Sequence, residues 1–222
     1  MTEIILLSDR RVAETGVADT GEDLVDLRRT GGLLVDARQA DDDGSYAHVR
    51  ADVARRLLLA QRHLPAGIRL LVVEGFRPPA LQQRYFEEYA AVMRAAHPDA
   101  TPARIRELTS AYISPPEVAP HVSGGAVDLT LCTGDGVELP LGTEVNATPE
   151  ESAGGCRTAA ANITDEARTH RELMGRAMTA AGFVNYPTEW WHWSYGDRYW
   201  ALLGGRPAAR YGPAALPSGD RS

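Results

Sequence analysis

One domain containing both helices and strands is what this sequence predicts, on three observations. Apolar residues recur at three- and four-residue steps over residues 47–64 and 79–96, the period of an amphipathic helix. Largely apolar, β-branched segments at Ile68–Val73 and Ala126–Leu131 read as strands, the first of them buried on both faces. The chain has 222 residues and no internal repeat. That length suits one large domain, or at most two small ones.

Composition narrows the function. Apolar residues at 44% and charged residues at 24% are the proportions of an ordinary soluble globular chain. A formal charge of -7 and a pI near 5.4 argue against a nucleic-acid surface, which needs basic clustering. No apolar run approaches the roughly 18 residues of a membrane span. The opening Met1–Asp9 carries an early acid and only four consecutive apolar residues, unlike a secretory signal. Two cysteines, Cys132 and Cys156, are too few for a disulfide scaffold and fit a reducing, cytoplasmic setting.

Taken in order, Ile4–Leu7 predicts a short strand or a strand-like arm. Asp41-Asp42-Asp43-Gly44-Ser45 predicts a solvated turn, because the wider ligand pattern of a calcium loop is missing. Residues 47–64 predict a helix ended by Pro65 and Gly67. The strand Ile68–Val73 then runs into Glu74-Gly75-Phe76-Arg77-Pro78-Pro79. An arginine at the end of a buried strand either pairs with an acid such as Glu74 or presents a fixed guanidinium to a carboxylate or developing oxyanion. Pro79 opens a second helix to about Ala96. Thr101-Pro102 has the form of a cap and first turn for a third, reaching about Tyr112. Residues 114–120, with three prolines, deliver the chain extended to His121. Beyond the strand at 126, residues 132–140 predict a hairpin with Gly134-Asp135-Gly136 at its tip. Residues 141–163 predict a long loop of the kind that often forms a lid. Thr164 caps a last long helix ending at Gly182, with His170 on its surface. Phe183–Tyr186 and Glu189–Tyr195 predict strands, followed by a short helical piece around Trp200. Residues from about 207 predict a fraying tail.

The chemistry concentrates in His121-Val122-Ser123-Gly124-Gly125-Ala126-Val127-Asp128 and in Glu189-Trp190-Trp191-His192-Trp193. The glycine pair lets the first segment turn sharply, so that His121 and Asp128 can face one point. Imidazole and carboxylate are good zinc donors, and a hydrolytic zinc site takes three protein ligands plus water. His192 is the best third ligand. Cys132 shares the strand face of Asp128, although a free buried cysteine is the commoner outcome. Glu189, three residues before His192, suits a proton carrier for the attacking water and the leaving amine. In an ideal strand Glu189 and His192 point to opposite faces, so their convergence requires a bulge or local twist. Arg77 suits the oxyanion of a tetrahedral intermediate.

The pattern His-x6-Asp with Gly124 and Ala126 inside it, followed by Glu-x-x-His, resembles the vancomycin-resistance type D-alanyl-D-alanine dipeptidases. These belong to a wider zinc D,D-peptidase group with a Hedgehog-like fold. The likeness covers roughly Ile68 to Trp193, including Glu-Gly-Phe-Arg-Pro where the dipeptidases usually read Gly-Tyr-Arg-Pro. It implies an α+β single domain over 1–222, with a central antiparallel sheet flanked by helices. It also implies one Zn2+ per chain on His121, Asp128 and His192, Glu189 as base and acid, Arg77 on the transition state, and a small dipeptide as the partner. Ser123 and Asn146 are the expected substrate contacts. Two positions depart from the pattern. Ala119 stands where the dipeptidases usually carry serine, and Asn146 replaces an aspartate that helps hold the substrate's ammonium. Glu144 or Glu150 on the same loop could supply that charge.

The leading expectation is therefore a zinc dipeptidase acting on D-alanyl-D-alanine. A D-alanyl-D-alanine carboxypeptidase or amidase acting on a peptidoglycan precursor or specialised metabolite is the second, favoured by the missing carboxylate. A non-catalytic zinc-stabilised binding module is the third, and Glu189 with Arg77 counts against it. Neither physiological substrate nor oligomeric state is written in the sequence.

Overall fold

Alternation of side chains along one strand divides the molecule into a packed half and a working half. The computed structural model describes residues 4–110 and 112–216. Its strands are β1 (Gly16–Val17), β2 (Leu24–Asp26), β3 (Leu34–Val35), β4 (His48–Arg50), β5 (Ile68–Glu74), β6 (Ala126–Thr133), β7 (Val184–Tyr186), β8 (Glu189–Ser194) and β9 (Ala208–Ala209). Its helices are α1 (Arg10–Glu14), α2 (Ala51–Arg62), α3 (Pro79–Ala96), α4 (Pro102–Ser110), α5 (Asp165–Ala180) and α6 (Arg198–Leu203). The main sheet runs β3-β5-β6-β8-β7; β3 lies parallel to β5 and every other pair is antiparallel. The architecture is thus α+β around a largely antiparallel sheet.

Along β6 the odd residues Val127, Leu129 and Leu131 join Leu70 and Val72 of β5 in one core with Val53 and Leu57 of α2 and Met174, Ala177 and Met178 of α5. Full burial of each such side chain contributes roughly 1.5–3 kcal/mol. Successive strand residues face opposite ways. The even residue Asp128 therefore turns toward the other side, where α3 and α4 pack on each other and supply Gln82, Tyr85 and Ser110 to a cavity wall.

Several expectations are corrected. Residues 4–8 form no strand; Leu7 instead packs with Val12, Tyr186 and Tyr199 in a small cluster. The first long helix begins at Ala51, because His48–Arg50 pairs with Leu24–Asp26 as a ribbon that helical periodicity could not reveal. The loose tail expected from about 207 is firmly held through residue 214. Gly16 and Val17 pair with Ala208 and Ala209, Gly212 N donates to Asp19, and Ala214 N donates to Val122 O. Residues 217–222 lie outside the described residues. No helix among the described residues is long and apolar enough to cross a membrane.

The segment 141–163 has neither helix nor strand, as expected, but it is pinned rather than free. The buried Arg171 of α5 donates to Leu141 O, Arg157 O and Gly155 O at 2.7–2.8 Å. Trp190 Nε1 donates to Thr143 Oγ1 at 2.7 Å, tying the loop to β8. Orphaning a buried acceptor costs about 1–3 kcal/mol. Arg171→Leu should therefore lower unfolding stability by at least about 2 kcal/mol in denaturant melts and open residues 141–163 to proteolysis. An unchanged melt would show that this anchor contributes nothing.

Candidate active site

Three donor atoms are brought together by one strand register and one turn. Antiparallel pairing of β6 with β8 sets Asp128 directly opposite His192. His121 reaches them from the turn before β6. That turn closes with Gly124 at φ +69°, a left-handed conformation that favours glycine. A Cβ on Gly125 would meet the Tyr195 carbonyl at 2.5 Å, so this position too excludes a side chain. The turn is held from outside by the buried Arg50, whose Nε donates to Ser123 O and whose backbone N donates to Gly124 O. Arg77 N donates to His121 O, while His121 Nδ1 lies 2.7 Å from Gly75 O.

The last contact fixes the tautomer. A carbonyl only accepts, so His121 Nδ1 carries the proton and Nε2 turns its lone pair inward. Nε2 lies 3.2 Å from His192 Nδ1 and 3.4 Å from Asp128 Oδ1, and those two are 3.0 Å apart. All three residues are buried. Ligand bonds of about 2.0–2.1 Å in tetrahedral geometry place donor atoms about 3.3 Å apart, which is the size of this triangle. Three converging lone pairs repel unless a cation or a proton lies among them, so the residues fit a divalent metal ion. Without one, a proton serves: burial disfavours a charged His121, but the Asp128 carboxylate outweighs it and raises the imidazole above its ordinary value. Burial likewise resists the charge on Asp128, yet the two imidazoles hold its carboxyl well below the usual range.

Glu189 joins the triad through an irregularity in β8. The β7–β8 register shifts between Asn185 and Tyr186, and Asn185 Nδ2 donates to both Glu189 O and His192 O across the displaced residues. Glu189 Oε2 thereby comes within 4.0 Å of His192 Nδ1. Burial, reinforced by the nearby Asp128 charge and opposed by His192 and Arg77, pushes the Glu189 carboxyl up to about 7. A carboxyl poised there can both accept and return a proton near neutrality.

Of the two expectations for Arg77, the pair with Glu74 is the one the structure shows. Its Nε and Nη2 form a bidentate pair with Glu74, and Nη1 donates to Gln82 Oε1 at 2.8 Å. Burial works against its charge, but Glu74 keeps it firmly protonated. It also lines the same cavity of about 320 Å³ as Glu189 and the triad, stacked 5.3 Å from the Tyr85 ring. Ala119 and Asn146 line this cavity as well, whereas Glu144 and Glu150 do not. Ser123, expected as a substrate contact, has its hydroxyl engaged in the turn, donating to Pro120 O and accepting from Gly125 N, and it does not line this cavity. Cys132 lies four residues along β6 from Asp128 and does not join the donor group. His170 bonds Pro140 O near the surface. Gln82, Asn185 and Tyr112, which also lines the cavity, escaped the sequence reading. Only the placement of Gln82 in the first turn of α3, five residues beyond Arg77, gave a signal.

A family model described as D-ala-D-ala dipeptidase matches residues 34–203. The chain belongs to the D-Ala-D-Ala dipeptidase family. It is thus a metallopeptidase, and the dipeptidase likeness, traced in the sequence over roughly Ile68 to Trp193, extends over residues 34–203. The D-alanyl-D-alanine dipeptidase of Synechocystis sp. is 28% identical over 188 residues, covering 73% of this chain and 75% of that protein. The D-alanyl-D-alanine dipeptidase of Escherichia coli is 27% identical over 140 residues, covering 63% and 60%. The solved structure of VanYB in complex with D-alanine-D-alanine superposes with a TM-score of 0.47 at 17% identity, over 91% of this chain and 93% of that one.

The geometry sets the three candidate metal ligands apart from the candidate proton carrier, and the family's metal dependence makes that separation measurable. His121→Ala, Asp128→Ala and His192→Ala should each lose bound metal by elemental analysis, whereas Glu189→Gln should retain it and lose about 10²–10⁴-fold in turnover. A cation beside Glu189 favours its ionised form, so the acid limb of kcat/KM should fall at or below about pH 7 and disappear in Glu189→Gln. Full metal in the alanine variants, or turnover in Glu189→Gln within tenfold of the parent, contradicts the assignment.

Proposed function

We propose that this chain is a zinc-dependent dipeptidase that cleaves D-alanyl-D-alanine, or a closely similar small D-amino-acid dipeptide, into free amino acids. The observation that carries the reading is that one cavity of about 320 Å³ is lined by the His121–Asp128–His192 triad, Glu189 and Arg77 together. Zinc at the triad would supply a Lewis acid and a water more acidic than bulk. Nitrogen and oxygen donors, with room left on the cavity side, suit a catalytic zinc better than a closed structural one.

Each side chain then has a defined task. Glu189 takes the proton of the attacking water and returns it to the departing amine, so peptide-bond cleavage is balanced without another acid. Arg77, held in orientation by Glu74 and Gln82, keeps guanidinium N–H bonds free for the oxyanion as the carbonyl becomes tetrahedral. Trp191 and Tyr186 wall the cavity and limit water beside the reacting carbonyl. A non-catalytic zinc module would need neither Glu189 nor Arg77 in this place. Two buried, free cysteines fit a cytoplasmic location.

D-alanyl-D-alanine incubated with the purified chain should release free D-alanine. A chelator should stop the reaction and added zinc restore it. Activity that survives full metal removal would overturn the zinc reading, and a zinc-loaded chain inert toward every small D,D-dipeptide would overturn the substrate.

Ala119 and Asn146 in the cavity wall favour the second reading, cleavage of an N-blocked or longer substrate. Neither offers a negative charge to an ammonium. Hydrogen bonds to charged groups contribute about 1.5–3 kcal/mol, so preference for a free amine should be roughly ten- to a hundredfold weaker than with those groups present. Asn146 sits at φ +67°, a conformation that aspartate also tolerates, so Asn146→Asp tests the charge alone. Comparing kcat/KM on D-Ala-D-Ala and N-acetyl-D-Ala-D-Ala, the substitution should sharpen preference for the free amine. A parent that already discriminates strongly, unaltered by Asn146→Asp, contradicts this role.

A further inference from the structure

His192 presents a problem that its own ring creates. The atom it offers to the triad is Nδ1, which stands 3.0 Å from Asp128 Oδ1. A carboxylate at that distance attracts the imidazole proton to Nδ1, where it would occupy the lone pair that a metal needs. The proton must have a competing home on Nε2. His121 solves the same problem with the Gly75 carbonyl. For His192, the neighbour of Nε2 is the hydroxyl of Ser194, at 3.4 Å. A hydroxyl can donate to Nε2 as readily as accept from it, so Ser194 alone leaves the tautomer open.

Behind Ser194 lies Asp197. Its Oδ1 accepts from Trp200 N at 2.9 Å and caps α6, while its Oδ2 is buried without a hydrogen-bond partner among the described residues. Serine, threonine or asparagine would cap a short helix equally well without a buried charge, so capping does not explain a carboxylate here. Burial raises its carboxyl above the ordinary value, partly offset by the Trp200 N–H, by the Ser194 hydroxyl beside it and by the charges of His192 and His121. This side chain and the ligand imidazoles are thus already electrostatically linked.

We propose that Asp197 and Ser194 are positioning residues for the metal site, forming a directed chain in which the Asp197 carboxylate accepts the Ser194 hydroxyl proton. The Ser194 oxygen can then only accept from His192, which holds the imidazole proton on Nε2 and leaves Nδ1 free. This rests on the reading of the triad as a zinc site. It extends that site beyond its ligands to a carboxylate five residues down the chain, which touches neither metal nor substrate. Partners of this kind typically change metal affinity by about 10–100-fold.

The test is zinc affinity, measured by competition with a chromophoric chelator on the full chain, for the parent, Ser194→Ala, Asp197→Asn and the double variant. Asparagine keeps the oxygen that caps α6, so Asp197→Asn retains the fold's contact while losing the charge. Each single variant should bind zinc about 10–100-fold more weakly, and the double variant should be no worse than the weaker single, because both break one chain. The visible spectrum of the cobalt-loaded protein should shift in both, while denaturant melts of the metal-free variants match the parent. Should Asp197→Asn fail to fold, Ser194→Ala decides alone. Zinc affinity within about threefold of the parent, or a double variant weakened by the product of the singles, overturns the chain. A parent that takes up no zinc overturns the reading of the site itself, and the inference with it.

Discussion

The antiparallel register that sets Asp128 across from His192 is the constraint on which the site depends. A slip of one residue would turn Asp128 into the core and carry Leu129 to the cavity face, because strand side chains alternate. The register is pinned by what that slip would cost. Val127, Leu129 and Leu131 are fully buried on the opposite face, and each would exchange an apolar surrounding for a polar one. The core thus specifies the position of a charged residue that it never touches. His121 is fixed by different means, a turn that admits no side chain at Gly125 and is clamped by Arg50, Arg77 and the segment around Ala214.

Within the cavity, charge is arranged in compensated pairs. The register shift between Val72 and Glu74 aligns Glu74 with Asp128, which places two acids on adjacent strands. Arg77 neutralises Glu74 through a bidentate pair and is itself oriented by Gln82, whose Nε2 donates to Ser114 O. Asp128 is balanced by the two imidazoles. Glu189 alone has no cation bonded to it, and its carboxyl is the one that burial moves toward neutrality. The acid proposed to exchange protons is therefore the one left uncompensated, as general acid–base catalysis at neutral pH requires.

Much of this was legible in the sequence, for identifiable reasons. His121, Asp128, Glu189 and His192 are residue types whose chemistry is unusual in apolar surroundings, and their short spacings survive any reading of the strands. The helices at 79–96 and 165–180 were legible because Pro79 and Thr164 mark their first turns. What escaped depends on contacts between distant segments. Nothing local announces that Asn185 spans the irregularity in β8, or that residues 208–214 close against Asp19 and Val122. Ser123 reads as a substrate contact because it stands beside a ligand, whereas its hydroxyl is engaged in a turn with buried backbone groups. Asp197 caps α6 through one oxygen. Its second oxygen becomes informative only when its burial behind His192 is seen.

The central claim is that the chain holds one metal ion through two nitrogen atoms and one carboxylate, with Glu189 beside it and unbound. Anomalous diffraction at the zinc absorption edge, from crystals grown with one equivalent of zinc, tests it most directly. The account predicts a single peak about 2.0–2.1 Å from His121 Nε2, His192 Nδ1 and a carboxylate oxygen of Asp128, with the Glu189 carboxylate out of bonding range. A peak ligated by Glu189 or Cys132, or no peak at the triad, would contradict it.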